Sequence, residues 1–86
     1  MERLVFNTAE HKLEELEKYG FVKFKSQYIL DFIKYNAYDY SYLLVEIDDY
    51  KVLDFTYVDL ADIQKAVNVT YDLIKDGLLI KEKKDE

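Results

Sequence analysis

The sequence predicts a small α+β domain in which an antiparallel hairpin or three-stranded sheet packs against two or three helices. Three observations carry that expectation. Apolar residues recur at helical spacing towards both ends of the chain, Leu13 and Leu16 in one case and Leu60, Ile63, Val67, Tyr71 and Ile74 in the other. Between them, from Tyr42 to Tyr57, the period changes to two residues, as in a half-buried strand. With 86 residues, half of them hydrophobic, the chain is sized for one core. A single domain over 1–80 is expected, followed by a charged tail, 81–86, that frays.

The first helix is expected over Thr8–Tyr19. Asn7 followed three positions later by Glu10 reads as a capping box, Ala9, Leu13 and Leu16 share a face, and Gly20 suits the left-handed position after the last turn. Residues 21–25 read as a short strand or an extended connector. Ser26 reads as the cap of a second helix, Gln27–Tyr35, with Ile29, Leu30, Phe32 and Ile33 as its apolar face. Its β-branched and aromatic content keeps a strand open as the alternative.

Leu43, Val45 and Ile47 then alternate with Tyr42, Leu44 and Glu46. Leu53, Phe55 and Tyr57 alternate with Val52, Asp54 and Thr56. Joined by a turn of about four residues at Asp48-Asp49-Tyr50-Lys51, these form a hairpin whose outer face shows Tyr42, Glu46, Asp54 and Thr56. Asp59 is placed to cap a third helix, Leu60–Asp76, with Leu60, Ile63, Val67, Tyr71 and Ile74 as its inward stripe. Gly77 stops it, and Leu78–Ile80 can return as a strand. The predicted core is Leu13, Leu16, Phe21, Ile29, Phe32, Ile33, Leu43, Val45, Ile47, Leu53, Phe55, Ile63, Val67 and Ile74.

Composition removes several function classes. There is no cysteine, so disulfides and thiolate metal sites are excluded. The one histidine, His11, falls on the charged side of the first helix within reach of Glu14 and Glu15, which reads as a solvated surface pair. Ser26 and Ser41 have no adjacent base, so nucleophilic catalysis has no visible machinery. Glu46, Asp48 and Asp49 lack the spacing and glycine of a calcium loop, and two glycines cannot build a phosphate cradle. No enzymatic activity, metal or cofactor is therefore expected. Met1–Phe6 lacks the apolar core of a secretion signal, and no apolar run approaches the ~20 residues that span a bilayer. A soluble, cytoplasmic protein with no membrane partner is the expectation.

Residues 60–79 resemble a helix-turn-helix. Asn68-Val69-Thr70 is similar to its turn, and Ile74-Lys75-Asp76-Gly77-Leu78 to the close of its recognition helix. The resemblance implies a DNA-binding regulator whose retention weakens on Lys65→Ala or Lys75→Ala. Gln64 departs from the small residue that close helix packing wants there. The six residues Thr70 to Lys75 expose Asp72 beside Lys75, a poor complement to phosphates. One continuous amphipathic helix accounts for the same residues more simply.

The charge distribution points elsewhere. The whole net charge of −6 arises between Asn36 and Asp62, where Asp39, Glu46, Asp48, Asp49, Asp54, Asp59 and Asp62 face a single Lys51. Tyr38, Tyr40, Tyr42, Tyr50 and Tyr57 are interleaved with these acids. Tyrosine in strands needs no partner to explain it, since aromatic cross-strand pairs stabilise a sheet. Segregated like charge, however, costs stability within a Debye length of about 8 Å at physiological salt. The expected function is a non-enzymatic module that binds a basic protein, as an inhibitor or regulator of a nucleic-acid-processing protein, with nucleic-acid mimicry open. Small proteins of phages and mobile elements include such inhibitors. The expected partner-binding residues are Tyr38, Asp39, Tyr40, Tyr42, Glu46, Asp48, Asp49, Tyr50 and Asp54, the phenols for contact area and the carboxylates for steering. A structural homo-oligomer, paired through the aromatic belt or free strand edges, is the remaining alternative.

Overall fold

The computed structural model describes residues 3–32, 41–48 and 51–82. Among these residues six strands form two antiparallel sheets: β1 (Leu4–Phe6), β2 (Val22–Phe24), β3 (Gln27–Asp31), β4 (Tyr42–Glu46), β5 (Leu53–Asp54) and β6 (Leu79–Lys81). One 3-10 helix, Leu13–Tyr19, follows β1. A second, Leu60–Asp62, runs directly into the α-helix α1 (Ile63–Lys75). The α+β class and the antiparallel hairpin of β4 and β5 are as the sequence predicts. The main sheet is larger than expected, with four strands in the order β2-β3-β4-β5, and β1 pairs with β6 in a separate ribbon. A single bridge between Val5 and Val52 ties the ribbon to the main sheet.

The second predicted helix is instead a strand. Gln27–Asp31 pairs on one side with β2 and on the other with β4, Tyr28 lying opposite Val45 and Leu30 opposite Leu43. Ser26 does not cap a helix. It is the second residue of the tight Lys25-Ser26 turn, whose first residue takes φ +54°. Two neighbouring strands offer Tyr28 and Leu30 a buried face, and that pairing overrides a weak helical pattern.

The first helix is shorter than its pattern and of the 3-10 type. Asn7 does not cap it: the Asn7 Nδ2 donates to the Gly77 carbonyl at 3.0 Å, and its backbone carbonyl accepts the His11 N–H at 3.0 Å in a turn. The start moves to Leu13 because the Glu15 carboxylate accepts the Lys12 N–H at 2.7 Å. That bond and His11 lower the Glu15 carboxyl below its ordinary range.

Gly20 ends this helix at φ +97°, as expected. Its N–H reaches the Glu17 carbonyl while the Phe21 N–H reaches Leu16, a Schellman closure. Gly77, at φ +83°, ends α1 identically, with Gly77 N–H to Ile74 and Leu78 N–H to Leu73. Both closures drive their flanking residues inward, since Leu16, Phe21, Leu73 and Leu78 are all buried in one core.

That core joins Phe6, Tyr28, Leu43, Val45, Leu53, Ala66 and Leu79 to those four and Phe32. Leu16, Phe21, Phe32, Leu43, Val45 and Leu53 are buried as predicted, and Leu13, Ile47 and Phe55 pack against them partly buried. Ile29 is half-buried on the other side of the sheet, and Ile33 lies outside the described residues. The predicted stripe of the last helix is wrong in phase. Ile63, Val67 and Ile74 are exposed, and α1 buries Ala66, Thr70 and Leu73 instead. The small Ala66 and Thr70 let the helix approach the core closely, and the Thr70 hydroxyl donates to the Ala66 carbonyl at 2.8 Å, so its burial leaves no bare polar group.

Asp59 occupies the predicted cap position, but its side chain makes no capping bond, and its own N–H donates to the buried Ser41 hydroxyl at 2.9 Å. Asn68-Val69-Thr70 lies within the uninterrupted α1, so the segment that resembles a helix-turn-helix contains no turn there. Lys81 and Glu82, assigned by sequence to the tail, belong to the fold. Lys81 closes β6, and Glu82 holds the Arg3 guanidinium at 3.1 and 2.7 Å in a two-pronged bridge.

Candidate functional site: the outer face of the main sheet

Strand register decides which side chains share a surface. Residues directly opposite across a ladder point to the same side, and successive residues alternate. Tyr28, Leu30, Leu43, Val45 and Leu53 point inward to the core. The reverse side carries Val22 and Phe24 from β2, Gln27, Ile29 and Asp31 from β3, Tyr42, Leu44 and Glu46 from β4, and Asp54 from β5, with Leu44 at its centre fully buried.

The acids on this side form an ordered set. Asp31 lies opposite Tyr42, Asp54 opposite Leu44, and Glu46 opposite Gln27, so each of three successive levels along β4 has one carboxylate. Levels two residues apart are about 6.8 Å apart. Among the described residues no strand residue on this side is basic. Lys25, in the turn beside it, lies over the Phe24 ring at 5.5 Å.

Two of the three carboxylates are held by neighbours. The Gln27 amide donates to Glu46 Oε1 at 3.2 Å, and Asp54 Oδ1 accepts the Thr56 N–H at 2.7 Å, closing the turn that ends β5. That turn brings Tyr57 back over the sheet. The Tyr57 carbonyl accepts the Tyr42 N–H at 3.2 Å, and the two rings stack with centroids 5.0 Å apart and planes 11° from parallel. Tyr57, placed by its alternation on the inner side, is thus an exposed partner of Tyr42. The Tyr42 hydroxyl is pushed above the ordinary tyrosine range, first by burial, then by Tyr57 and by the negative fields of Asp31 and Asp54.

Tyr42 forms the ridge between two shallow grooves. One, of about 440 Å³, is floored by Val22, Phe24, Gln27, Ile29 and Asp31. The other, of about 580 Å³, is lined by Thr56, Tyr57, Val58 and Asp59. Val22 and Phe24 are well exposed, and β2 is an edge strand.

Of the residues expected to bind a partner, Tyr42, Glu46 and Asp54 come together here, and Asp48 is exposed just past the end of β4. Tyr38, Asp39, Tyr40, Asp49 and Tyr50 lie outside the described residues. Asp62 does not share the surface; it is buried where the second 3-10 helix meets α1. Sequence reasoning missed Asp31, Gln27 and Ile29, because reading 27–35 as a helix removed them from the sheet, and it left Val22 and Phe24 in a strand or connector with no neighbour to pair with. The signal available was Gln27, Ile29 and Asp31 at alternate positions behind a two-residue turn.

Elsewhere, His11 Nδ1 lies 3.2 Å from both Glu15 carboxylate oxygens, the i+4 pairing expected of it. Among the described residues no group of three His, Asp or Glu side chains is arranged to hold a metal ion, and no helix is long and apolar enough to cross a membrane. Comparison with protein-family models, with curated proteins and with solved structures finds no match to this chain.

Proposed function

We propose that this protein is a non-enzymatic binding module that holds a basic protein segment on the outer face of its main sheet. The observation that carries this reading is the sequence of carboxylates Asp31, Asp54 and Glu46 at successive levels beside the stacked Tyr42 and Tyr57. An extended segment presents same-side side chains every two residues, at the same spacing of about 6.8 Å. Lys or Arg at alternate positions therefore meets one carboxylate per level, and the aliphatic stem of the one that meets Asp31 lies on Ile29 and Val22 beside it. The stacked phenols supply rigid area at little entropic cost, and the uncompensated acids steer the encounter.

The partner is a protein that normally holds phosphates with that basic surface, and occupancy inhibits or regulates it. Asp48 adds to the field from the adjacent turn, with Tyr38, Asp39, Tyr40, Asp49 and Tyr50 as the remaining proposed contacts. A peptide of alternating lysines, titrated into the purified chain, provides the test. Binding is expected at low salt, falling steeply as salt rises. The triple variant Asp31→Asn, Glu46→Gln, Asp54→Asn, which removes charge but keeps hydrogen-bonding capacity, should weaken it at least tenfold with an unchanged circular dichroism spectrum. Salt-independent binding, or a triple variant that binds as well as the parent, refutes the reading.

A further inference from the structure

On the helix layer, across the core from the acidic face, α1 and the turn before it present a second surface. Leu60 is 88% exposed and Tyr71 64%, while Ile63, Val67 and Ile74 lie between 37% and 46%. These are large apolar side chains in one stripe, and the packing of α1 onto the core through Ala66, Thr70 and Leu73 leaves all of them facing out. We propose that this stripe is a twofold interface between two copies of the chain.

Three features select a second copy over another occupant. The first is the spacing. The stripe runs 60, 63, 67, 71, 74, which reads the same from either end. Two antiparallel copies centred on Val67 therefore match Leu60 with Ile74 and Ile63 with Tyr71, twice over, as a self-complementary interface requires. The second is charge. The acidic sheet repels its own copy, whereas residues 60–75 are neutral, with Lys65 and Lys75 against Asp62 and Asp72. Antiparallel alignment opposes the helix dipoles and brings Asp59, next to Leu60, to the end where the other copy's Lys75 lies.

The third is extent. The five side chains offer on the order of 500 Å² per copy, so a pair buries about 1,000 Å², the lower bound of a specific interface. Polar groups already paired within the chain border the stripe. The Gln64 amide donates to Asn68 at 3.0 Å, and Lys75 reaches both Asp72, at 3.7 Å, and the Tyr71 ring, at 5.8 Å. Such a rim suits association in the micromolar range. This interface is independent of the proposed acidic site and leaves both copies' sheet faces open.

Sedimentation of the full chain across a concentration series is the test. Dimers are expected at tens of micromolar, little affected by salt, because the contact is apolar. Val67→Asp sets two carboxylates against each other at the twofold axis and should weaken pairing at least tenfold while the circular dichroism spectrum stays unchanged. The absence of native cysteine allows the alignment to be read directly. Leu60→Cys mixed with Ile74→Cys should give a mixed disulfide under mild oxidation, and Leu60→Cys alone should not. A chain that stays monomeric at several hundred micromolar, or dimers that survive Val67→Asp, overturns the proposal. Self-linking of Leu60→Cys overturns the antiparallel arrangement.

Discussion

On one side of α1, Ala66, Thr70 and Leu73 sit in the core; on the other, Ile63, Val67, Tyr71 and Ile74 face water. The outward side is the bulkier and, by hydropathy, the more apolar. Helical periodicity identifies such a helix but does not say which side turns inward. That is settled by what fits. The core needs close approach, which Ala66 and Thr70 permit, and the Schellman closure at Gly77 fixes the rotation by sending both Leu73 and Leu78 inward.

The adjacent pair Leu73 and Ile74 gives the sharpest way to break this comparison. Leu73→Ala should cost about 2–5 kcal/mol, because it opens a cavity at a fully buried position. Ile74→Ala should stay within about 0.5 kcal/mol in monomeric conditions. Urea unfolding of both variants at low micromolar concentration measures the difference, and equal losses would mean that the helix is rotated from its position here.

The two glycines that end the helices come next. Replacing either by Ala forces a side chain into left-handed backbone, at about 1–2 kcal/mol. Gly20→Ala should be the worse of the two, since the added Cβ would meet Leu30 Cδ1 at 3.0 Å, against 3.4 Å to His11 Nε2 for Gly77→Ala. Thermal melts rank them.

The smallest effect concerns the bond that fastens the exposed end of α1 to the first 3-10 helix. The Tyr19 hydroxyl donates to Asp76 Oδ2 at 2.6 Å, and this hydrogen bond, ahead of burial, pushes the phenol up to about 12. A raised folded value means that the folded state keeps a proton the unfolded chain loses. The contribution is therefore complete below about pH 10, the ordinary tyrosine value, and lost as pH rises through about 12. Tyr19→Phe should remove that alkaline dependence and delete a phenol that ionises well above the ordinary tyrosine range in an ultraviolet titration.

Where a residue's partner lies close in sequence, its place was legible. Gly20 and Gly77 announce two helix ends. The alternation from Tyr42 to Glu46 puts Leu43 and Val45 inside and Tyr42 and Glu46 outside, and Asp54 joins them through a short hairpin. Residues whose partners are distant were read wrongly. Gln27–Asp31 needs β2 and β4 on either side before it is a strand. Asn7 is taken from its local capping role by the carbonyl of Gly77, 70 positions away. Half of the described acidic face was hidden for the same reason, since Asp31 and the apolar floor of Val22, Phe24 and Ile29 reach it only through strand pairing.

The β1–β6 ribbon has a consequence for biosynthesis. Its clamp joins Arg3 to Glu82, 79 positions apart, and closing a loop of that length costs about 4 kcal/mol in chain entropy. During translation β1 emerges first and waits without its partner while the intervening residues are added, which takes roughly 4–15 s at ordinary elongation speeds. The local meander of β2, β3 and β4 closes far shorter loops than the ribbon does, so the ribbon is the last part to zip.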